Sequence, residues 1–394
     1  MKILDTLRDR WPLGLVRHRV PTPLTRVHLE SSDPDSLPQH ARCDPHTIAT
    51  TIENALSAAG LMADTVSRAE CNPAPSSIPG LDALRPRSAP PAGPPNADTT
   101  LPGQFLSRSF TNTHGTRAYK LYIPASVAEN SAKSAALIVM LHGCTQSPDD
   151  FAAGTRMNEL AERDGFLVAY PAQTAKANGS KCWNWFRSGD QERERGEPSL
   201  IAGMTREIAT HYAIDDRRIF VAGLSAGAAM AVILGATYPD LYAAVGAHSG
   251  LPYGAAHDVP SAFSAMKGSD ASPGLPEPQR SMHAAQPAVP TIVFHGDCDT
   301  TVNISNSNAI VERAISWSRA AGVASTTQRG RAAGGNEYSR TIYTRANGRP
   351  FVEAWIVHGA AHAWSGGSPR GSFTEIRGPD ASEEMIRFFL AQSL

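Results

Sequence analysis

Residues 219–230 read IFVAGLSAGAAM, and this stretch decides how the rest of the chain is interpreted. The apolar run before Gly223 predicts a strand, and the alanine-rich run after Gly227 predicts a helix. Ser225 therefore lies at a strand-to-helix turn, which is where a Gly-x-Ser-x-Gly nucleophile elbow places its serine. Glycines suit such a turn because a Cβ at either position would collide with the neighbouring strand or helix. An ordinary glycine-rich turn is the alternative. The two interpretations are distinguished by whether later loops offer a histidine base and a carboxylate for the serine.

Strand-like and helix-like runs alternate from about residue 104 to the end of the chain. The strand-like runs are FLSRSFTN, RAYKLYIP, ALIVMLHG, GFLVAYPA, RIFVAGLS, YAAVGAHS, TIVFHGD and FVEAWIVHG. The helix-like stretches are Asp149–Arg163, Ser199–Tyr212, Ala226–Tyr238, Asn303–Arg319 and Ala381–Leu390. Such alternation predicts an α/β fold with a mainly parallel central sheet covered by helices on both faces. The first two runs are candidates for an antiparallel pair at the leading edge.

The composition divides the chain into three segments. Residues 1–70 contain one amphipathic helix, predicted over His46–Met62, which cannot form a core by itself. Residues 71–102 contain nine prolines and are predicted to be a linker without a packed core. Residues 103–394 are the predicted α/β domain. The helical and proline-rich extension therefore precedes a single large domain.

Charge and hydropathy exclude several classes of function. The formal net charge of -1, with 19% charged residues, gives no basic excess of the kind that binds nucleic acid. No apolar run is long enough to cross a bilayer. The N-terminal residues MKILDTLRDRWPLGLVRHRV carry scattered charges and no apolar segment typical of a secretory signal peptide. A cytoplasmic protein is expected, with secretion by another route left open, and the sequence carries no signal for an oligomeric state.

A serine nucleophile needs a histidine base and an orienting carboxylate, on loops after later strands. The run TIVFHGDCDTTV offers Asp297 and Asp299. We predict Asp299 as the acid because it lies further into the loop, whereas Asp297 suits a turn or a helix cap. The last strand leads into HGAAHAWSGG, which offers His358 and His362. We predict His362 as the base because small residues flank it, and His358 as a structural histidine.

Acyl transfer also needs N–H donors for the oxyanion. One donor is the backbone N–H of Ala226, the residue after the nucleophile. The other is expected in the loop LHGCTQ, where Gly143 allows the backbone to turn its N–H groups inward and Cys144 offers one. His142 in the same loop is expected to be structural. A nucleophilic role for Cys144 is disfavoured because no base is placed for it as His362 is for the serine.

The remaining candidates are aromatic residues and cysteines. Trp183 and Trp185 in KCWNWFRSGD are consistent with core packing and equally with a cleft wall for an apolar acyl group. Trp364 in HAWSGG is a third candidate for substrate binding. The five cysteines are odd in number and lack metal-ligand spacing. Acyl transfer through a serine needs neither a metal nor an organic cofactor, so none is expected. Reduced, partly buried thiols are the default for such cysteines.

Several blocks of the domain together resemble the esterases of the poly(3-hydroxybutyrate) depolymerase family. These blocks are LHGCTQSPDDFA, FLVAYPAQ, KCWNWF, GEPSLIAGMTREI, VAGLSAGAAMA, TYPDLYAAVGAHSGL, HGDCDTTVN and HAWSGG, within about residues 104–394. The resemblance implies an α/β-hydrolase fold related to feruloyl and acetylxylan esterases. It implies the roles already assigned to Ser225, Asp299 and His362, with the oxyanion at the N–H groups of Cys144 and Ala226. The family's pairing of HGC with KCW also implies a disulfide between Cys144 and Cys182.

The implied function is a serine esterase that works through an acyl-enzyme on short-chain acyl esters or on 3-hydroxybutyrate oligomers or polymer. The alternatives are a feruloyl or acetylxylan esterase and, in another class, a non-catalytic binding protein on the same scaffold. Ala228 and Ala361 stand where the family often has glycine, and we expect activity despite both. No polymer-binding module follows the last helix of this sequence, so soluble esters or short oligomers are favoured over crystalline polymer.

Overall fold

The computed structural model describes residues 101–129, 134–268, 289–318 and 322–392. The predicted helix His46–Met62 and nearly all of the proline-rich segment 71–102 lie outside these residues, so the three-segment division stays a prediction. In the described ranges, no helix combines the length and the apolar character that crossing a membrane requires.

A large sheet forms the centre of the described domain. Its strands are β1 Gln104–Asn112, β2 Gly115–Ile123, β3 Ala135–Leu141, β4 Leu167–Pro171, β5 Ile214–Leu224, β6 Ala244–His248, β7 Thr291–Gly296, β8 Ala324–Arg331, β9 Glu337–Thr344 and β10 Pro350–Val357. They are ordered β1-β2-β4-β3-β5-β6-β7-β10-β9-β8. The stretch from β4 to β10 is parallel. Antiparallel pairs continue it at both edges. The mainly parallel sheet and its antiparallel leading edge are as predicted.

The hairpin β8–β9 is absent from the sequence prediction. Its strands read ASTTQRGR and EYSRTIYT, and the first is exposed at almost every position. A strand that buries neither face lacks the apolar alternation by which strands are recognised. The two short strands β11 Trp364–Ser365 and β12 Thr374–Glu375, which form a separate small sheet, were missed because two residues carry no period.

Helices lie between most of the strands. They are α1 Ala125–Glu129, α2 Pro148–Thr155, α3 Met157–Asp164, α4 Gly196–His211, α5 Ala226–Thr237, α6 Val259–Met266, α7 Ser305–Trp317 and α8 Ala381–Leu390. The single helix predicted over Asp149–Arg163 is two helices, because Arg156 takes a left-handed conformation with φ 54° between them. The short helices α1 and α6 were not predicted. The other helices agree with the predicted stretches to within a few residues.

The core consists of apolar layers on the two faces of the sheet. Along β3, Leu137 and Val139 belong to one layer, and Ile138 and Met140 belong to the other. A strand that is buried on both faces reads as the continuous apolar run ALIVML, as this one does. The carboxyl ends of the parallel strands β3, β5, β7 and β10 share one edge of the sheet, so their loops meet there.

Candidate active site

Ser225 lies between β5 and α5 in a strained turn. Its backbone has φ 57° and ψ -120°, a conformation that a residue with a side chain adopts at a cost of about 1–3 kcal/mol. A Cβ on Gly223 would lie 2.7 Å from the carbonyl oxygen of Leu141, and one on Gly227 would lie 2.6 Å from that of His142. Real Cβ atoms do not approach backbone oxygens so closely. The glycines are therefore required by the packing of the elbow, as the sequence predicted.

Asp299 and His362 form a hydrogen-bonded pair in the loops after β7 and β10. Nδ1–H of His362 donates to Oδ2 of Asp299 at 2.7 Å. Oδ1 of the same carboxylate accepts from the backbone N–H groups of Thr301 at 2.9 Å and Val302 at 2.8 Å. The Asp299 side chain is fully buried, and 5% of the His362 side chain is exposed. Within the described part of the chain Nε2 of His362 makes no hydrogen bond, so this nitrogen is available to accept a proton.

The surroundings keep Asp299 ionised. Burial alone raises the pKa of this carboxyl, but hydrogen bonds from His295 and His362 outweigh it and hold the pKa well below the usual range. A carboxylate that stays charged fixes the donating tautomer of the neighbouring imidazole and stabilises the imidazolium when it forms. These are the properties required of the acid in a Ser–His–Asp arrangement.

His248 at the end of β6 connects the serine turn to the histidine loop. Its carbonyl oxygen accepts from the N–H of Ser225 at 2.9 Å, and its ring Nε2 accepts from the N–H of Ser365 at 3.0 Å. Burial, followed by the neighbouring His295 and His362, lowers the pKa of His248 to about 3, so this ring stays neutral. Among the described residues no hydrogen bond joins the hydroxyl of Ser225 to His362. Such contacts often tighten only when a substrate binds.

Asp297 and His358 form a second acid–histidine pair near the first. Nδ1 of His358 is 2.7 Å from Oδ2 of Asp297, and Nε2 is 2.8 Å from the hydroxyl of Ser339 on β9. Oδ1 of Asp297 accepts from the N–H of Gly359 at 2.7 Å. Both ring nitrogens of His358 are thus engaged, and the side chain ties the end of β10 to β9. This arrangement agrees with the structural roles expected for His358 and Asp297.

The loop after β3 presents an N–H group beside the nucleophile turn. Gly143 N–H donates to the side-chain oxygen of Gln146 at 2.9 Å, and Thr145 N–H donates to the carbonyl of Ser180 at 2.7 Å. Between them, the N–H of Cys144 has no hydrogen-bond partner in the described ranges. A Cβ on Gly143 would lie 3.6 Å from the carbonyl oxygen of Leu224, so this loop packs against the end of β5.

Ala226 supplies the other expected N–H. It is the first residue of α5, and the first N–H groups of a helix have no partner within the helix. Ala226 thus directly follows the serine, and the loop of Cys144 packs against Leu224 at the end of β5. Their role as oxyanion donors stays a prediction. His142 in the same region is structural, as expected: its ring nitrogens contact the carbonyl of Gly143 at 2.7 Å and the N–H of Gln173 at 3.1 Å.

A disulfide joins Cys144 to Cys182, with their Cα atoms 4.2 Å apart, as the family resemblance implied. The segment that carries Cys182 is held by Glu197, whose buried carboxylate accepts from the backbone N–H of Asn184 at 2.7 Å and from its side-chain amide at 2.8 Å. Arg117 pairs with the same carboxylate at 3.2 Å. Sequence reasoning missed Glu197, because a glutamate in the first turn of a helix normally faces solvent.

The structure corrects the predicted role of two tryptophans. Trp183 is completely buried and donates its indole N–H to the carbonyl of His142 at 3.1 Å. Trp364 is 1% exposed and donates to the hydroxyl of Ser382 at 3.0 Å. Neither presents a surface to a substrate, so the prediction of substrate binding is wrong for both, and Trp183 takes the core-packing role that the sequence left open. Trp185 keeps 6% of its surface exposed and stays a candidate.

Ala228, one of the two departures from the family pattern, is fully buried. A Cβ on Gly250 would lie 2.6 Å from the Cβ of Ala228. The extra methyl group of the alanine is therefore accommodated because position 250 has none, and the elbow itself is undisturbed. Across the described ranges, no three His, Cys, Asp or Glu side chains are grouped so that they could hold a metal ion.

The described domain combines a mainly parallel sheet, a serine at a glycine-flanked elbow and an Asp–His pair in loops after later strands. Together these features define an α/β-hydrolase. Among solved structures, an acetyl xylan esterase from Aspergillus awamori has a similar fold, with a TM-score of 0.52 and 19% sequence identity; the match covers 70% of this chain and 94% of that chain. The profile of the family described as "Esterase PHB depolymerase" matches residues 117–339, and the chain belongs to this family.

Curated relatives carry two kinds of name. The chain is similar to poly(3-hydroxyalkanoate) depolymerase C of Paucimonas lemoignei, 34% identical over 261 residues, which is 65% of this chain and 60% of that protein. It is also similar to a probable acetylxylan esterase A of Aspergillus flavus, 31% identical over 198 residues, which is 47% of this chain and 62% of that protein. The chain thus spans about three fifths of the length of these relatives.

Proposed function

We propose that this protein hydrolyses carboxylic esters with Ser225 as the nucleophile. The observation that carries the proposal is the buried, ionised Asp299 hydrogen-bonded to Nδ1 of His362, at the same sheet edge as the strained serine. Membership of an esterase family supports it. A serine hydroxyl is a weak nucleophile by itself, and an imidazole oriented in this way is what activates it.

In the first half of the reaction, the Ser225 oxygen attacks the ester carbonyl carbon while Nε2 of His362 takes the hydroxyl proton. Asp299 stabilises the resulting imidazolium, and the N–H groups of Cys144 and Ala226 stabilise the negative charge on the former carbonyl oxygen. The tetrahedral species then breaks its bond to the alcohol oxygen. The imidazolium returns the proton to that oxygen, the alcohol leaves, and an acyl-serine ester remains.

In the second half, water takes the place of the alcohol. His362 removes a proton from the water as it attacks the acyl carbon, and the same N–H groups stabilise the oxyanion again. The bond to Ser225 breaks, the imidazolium returns its proton to the serine oxygen, and the carboxylic acid leaves. Every proton is moved by His362, so the mechanism requires this ring to be neutral at the start of each half.

We propose short-chain acyl esters and 3-hydroxybutyrate oligomers as the substrates. The name of the Paucimonas lemoignei relative supports the oligomers, and the name of the Aspergillus flavus relative supports acetylated xylan as a second candidate. The two differ in the alcohol that leaves: a hydroxyacyl chain in the first case and a sugar hydroxyl in the second. A rate comparison on purified protein with p-nitrophenyl butyrate, hydroxybutyrate trimer, acetylated xylan and methyl ferulate separates them.

The serine variant tests the chemistry itself. Ser225→Ala should abolish turnover of p-nitrophenyl butyrate and labelling by a fluorophosphonate probe, while thermal unfolding stays close to that of the parent. Undiminished turnover in this variant would show that another group attacks the ester. A parent protein that neither turns over esters nor reacts with the probe would favour the non-catalytic binding protein instead.

A further inference from the structure

Asp299 is approached by a second histidine besides His362. His295 lies near the end of β7, four residues before Asp299, and its side chain is completely buried. Its Nε2 is 2.8 Å from the carbonyl oxygen of Val302 and 3.3 Å from Oδ2 of Asp299. A carbonyl oxygen can only accept, so Nε2 must carry the ring proton, which it directs at Val302 while Oδ2 of Asp299 lies close by. Two imidazole N–H groups therefore converge on one carboxylate oxygen.

This tautomer leaves the other nitrogen of His295 in an unfavourable position. Nδ1 is buried, and no hydrogen-bond partner for it exists among the residues that the structure describes. A buried polar atom without a partner lowers stability, and an apolar side chain of similar size would fill the same space without that cost. What the imidazole provides and an apolar side chain does not is the Nε2–H directed at Val302 and Asp299.

The contacts of His295 complete the turn that holds the carboxylate. Oδ1 of Asp299 is fixed by the backbone N–H groups of Thr301 and Val302. His295 holds the carbonyl group of Val302, so the same residue is bound through both its N–H and its C=O. Without His295, Oδ2 would depend on His362 alone, which is the group that changes charge during the reaction.

We propose that His295 is a positioning residue of the ester hydrolysis: its Nε2–H fixes the Asp299 carboxylate and shares the charge that faces His362. This inference rests on the proposed function. Removal of the N–H leaves more negative charge on Oδ2 beside His362 and loosens the carboxylate. The first effect stabilises the protonated, inactive imidazole, so the acid limb of kcat/KM moves to higher pH. The second lowers kcat, because the orientation of the base is less well defined.

The titratable groups that face His362 in the described residues are few. Asp299 and His295 are on the β7 side, and His248 is on the β6 side. His248 stays neutral because burial lowers its pKa to about 3, so it does not titrate in the range of an esterase assay. A shift of the acid limb in a His295 variant therefore reports on the Asp299–His362 pair.

The test compares His295→Leu with His295→Gln. The leucine removes the N–H, whereas the side-chain amide of glutamine can present an N–H near the position of Nε2. His358→Leu is the matched control, since it breaks the neighbouring Asp297 pair, two residues along the same loop, and leaves Asp299 untouched. For each protein, kcat, KM and the pH profile of kcat/KM are measured on p-nitrophenyl butyrate, together with the unfolding temperature.

We expect His295→Leu to lower kcat about tenfold, the effect of one hydrogen bond to a charged group, with KM little changed and the acid limb at higher pH. His295→Gln should recover most of kcat, and His358→Leu should keep the parent profile. A folded His295→Leu variant with the kcat of the parent and the same acid limb of kcat/KM would overturn the proposal. A glutamine variant as impaired as the leucine variant would also overturn it, because shape and not the N–H would then matter.

A measurement on the parent protein keeps the proposal testable if the variants do not fold. Nitrogen-15 NMR of the imidazoles should show His295 as the Nε2–H tautomer at neutral pH, and an Nδ1–H tautomer would refute the proposed contact. Failure of the proposed function would be seen in a different variant, because Ser225→Ala would retain ester turnover. If the activity of the parent depends on Ser225 but the His295→Leu variant behaves like the parent, only the positioning role is rejected.

Discussion

The Cys144–Cys182 disulfide gives the sharpest test of what fixes the oxyanion loop, which comprises residues 141–146 and carries the proposed donor Cys144. The bond closes a segment with a sequence separation of 38 residues. In the chain-entropy account, a loop of that length stabilises the folded state by about 4 kcal/mol. A change of 1 kcal/mol shifts the unfolding temperature of a domain of this size by about 2–4 °C. The double variant Cys144→Ala with Cys182→Ala should therefore unfold about 8–16 °C below the parent.

The same variant should also lose activity. The N–H of Cys144 is the proposed oxyanion donor, and the disulfide is the covalent link that fixes its residue to the segment held by Glu197. Loss of a whole oxyanion donor costs about 10²–10³-fold in kcat. The backbone contact between Thr145 and Ser180 survives in the variant and limits the displacement. We therefore expect kcat to fall about tenfold, with a smaller change in KM.

The assay combines thermal unfolding with ester turnover, each with and without a phosphine reductant. The reductant should lower both the unfolding temperature and kcat of the parent towards those of the variant, and it should change neither in the variant. The variant is thus its own control for other effects of the reductant. If the parent and the variant unfold at the same temperature and hydrolyse the ester at the same rate, the disulfide neither stabilises the domain nor positions the donor.

Three further predictions follow from the site. Gly227→Ala should destabilise the fold by about 3 kcal/mol, because its Cβ would overlap the backbone of β3; Gly189→Ala, with nothing within 4 Å of the added atom, should change the unfolding free energy by less than about 0.5 kcal/mol. Asp299→Asn should lower kcat about 10⁴-fold in steady-state assays while KM changes little, since the wrong imidazole tautomer is then favoured. Acidification should destabilise the fold through His248, whose pKa burial lowers to about 3. The unfolded chain binds that proton below about pH 6.5 and the folded chain does not, so His248 should contribute up to about 1.4 kcal/mol per pH unit to the fall in stability that denaturant titrations measure between about pH 6 and 4. A His248→Gln variant that keeps the full slope would contradict the last assignment.

The parts of the fold that the sequence predicted correctly are those with a local cause. β3 is buried on both faces, so its residues 135–141 had to be uniformly apolar. Gly223 and Gly227 could be interpreted because only glycine fits an elbow in which backbone segments meet. The preference for Asp299 over Asp297 rested on depth in the loop, and the preference for His362 over His358 rested on its small neighbours. In the structure the Asp299–His362 pair is buried and the Asp297–His358 pair is partly exposed, which is consistent with both choices.

What the sequence could not provide depends on contacts between distant segments. Trp183 and Trp364 looked like cleft residues because composition does not reveal that the carbonyl of His142 and the hydroxyl of Ser382 satisfy their indole N–H groups. The polar strands of the hairpin β8–β9 are held by pairing and not by burial, so no apolar period marks them. Glu197 is buried only because several segments converge on its carboxylate. In each case the informative partner lies far away in the sequence.

The disulfide also bears on where the protein works. Disulfides persist in oxidising compartments and are rare where glutathione keeps thiols reduced. A cytoplasmic location stays a prediction, and it implies that Cys144 and Cys182 are thiols in the cell. The oxyanion loop would then depend on Gln146 and on the contact of Thr145 with Ser180. Alkylation at the moment of lysis traps free thiols, so it measures what fraction of these cysteines is reduced in the cell. That fraction decides whether the domain works in its cross-linked form or in a reduced form whose free energy of unfolding is about 4 kcal/mol lower.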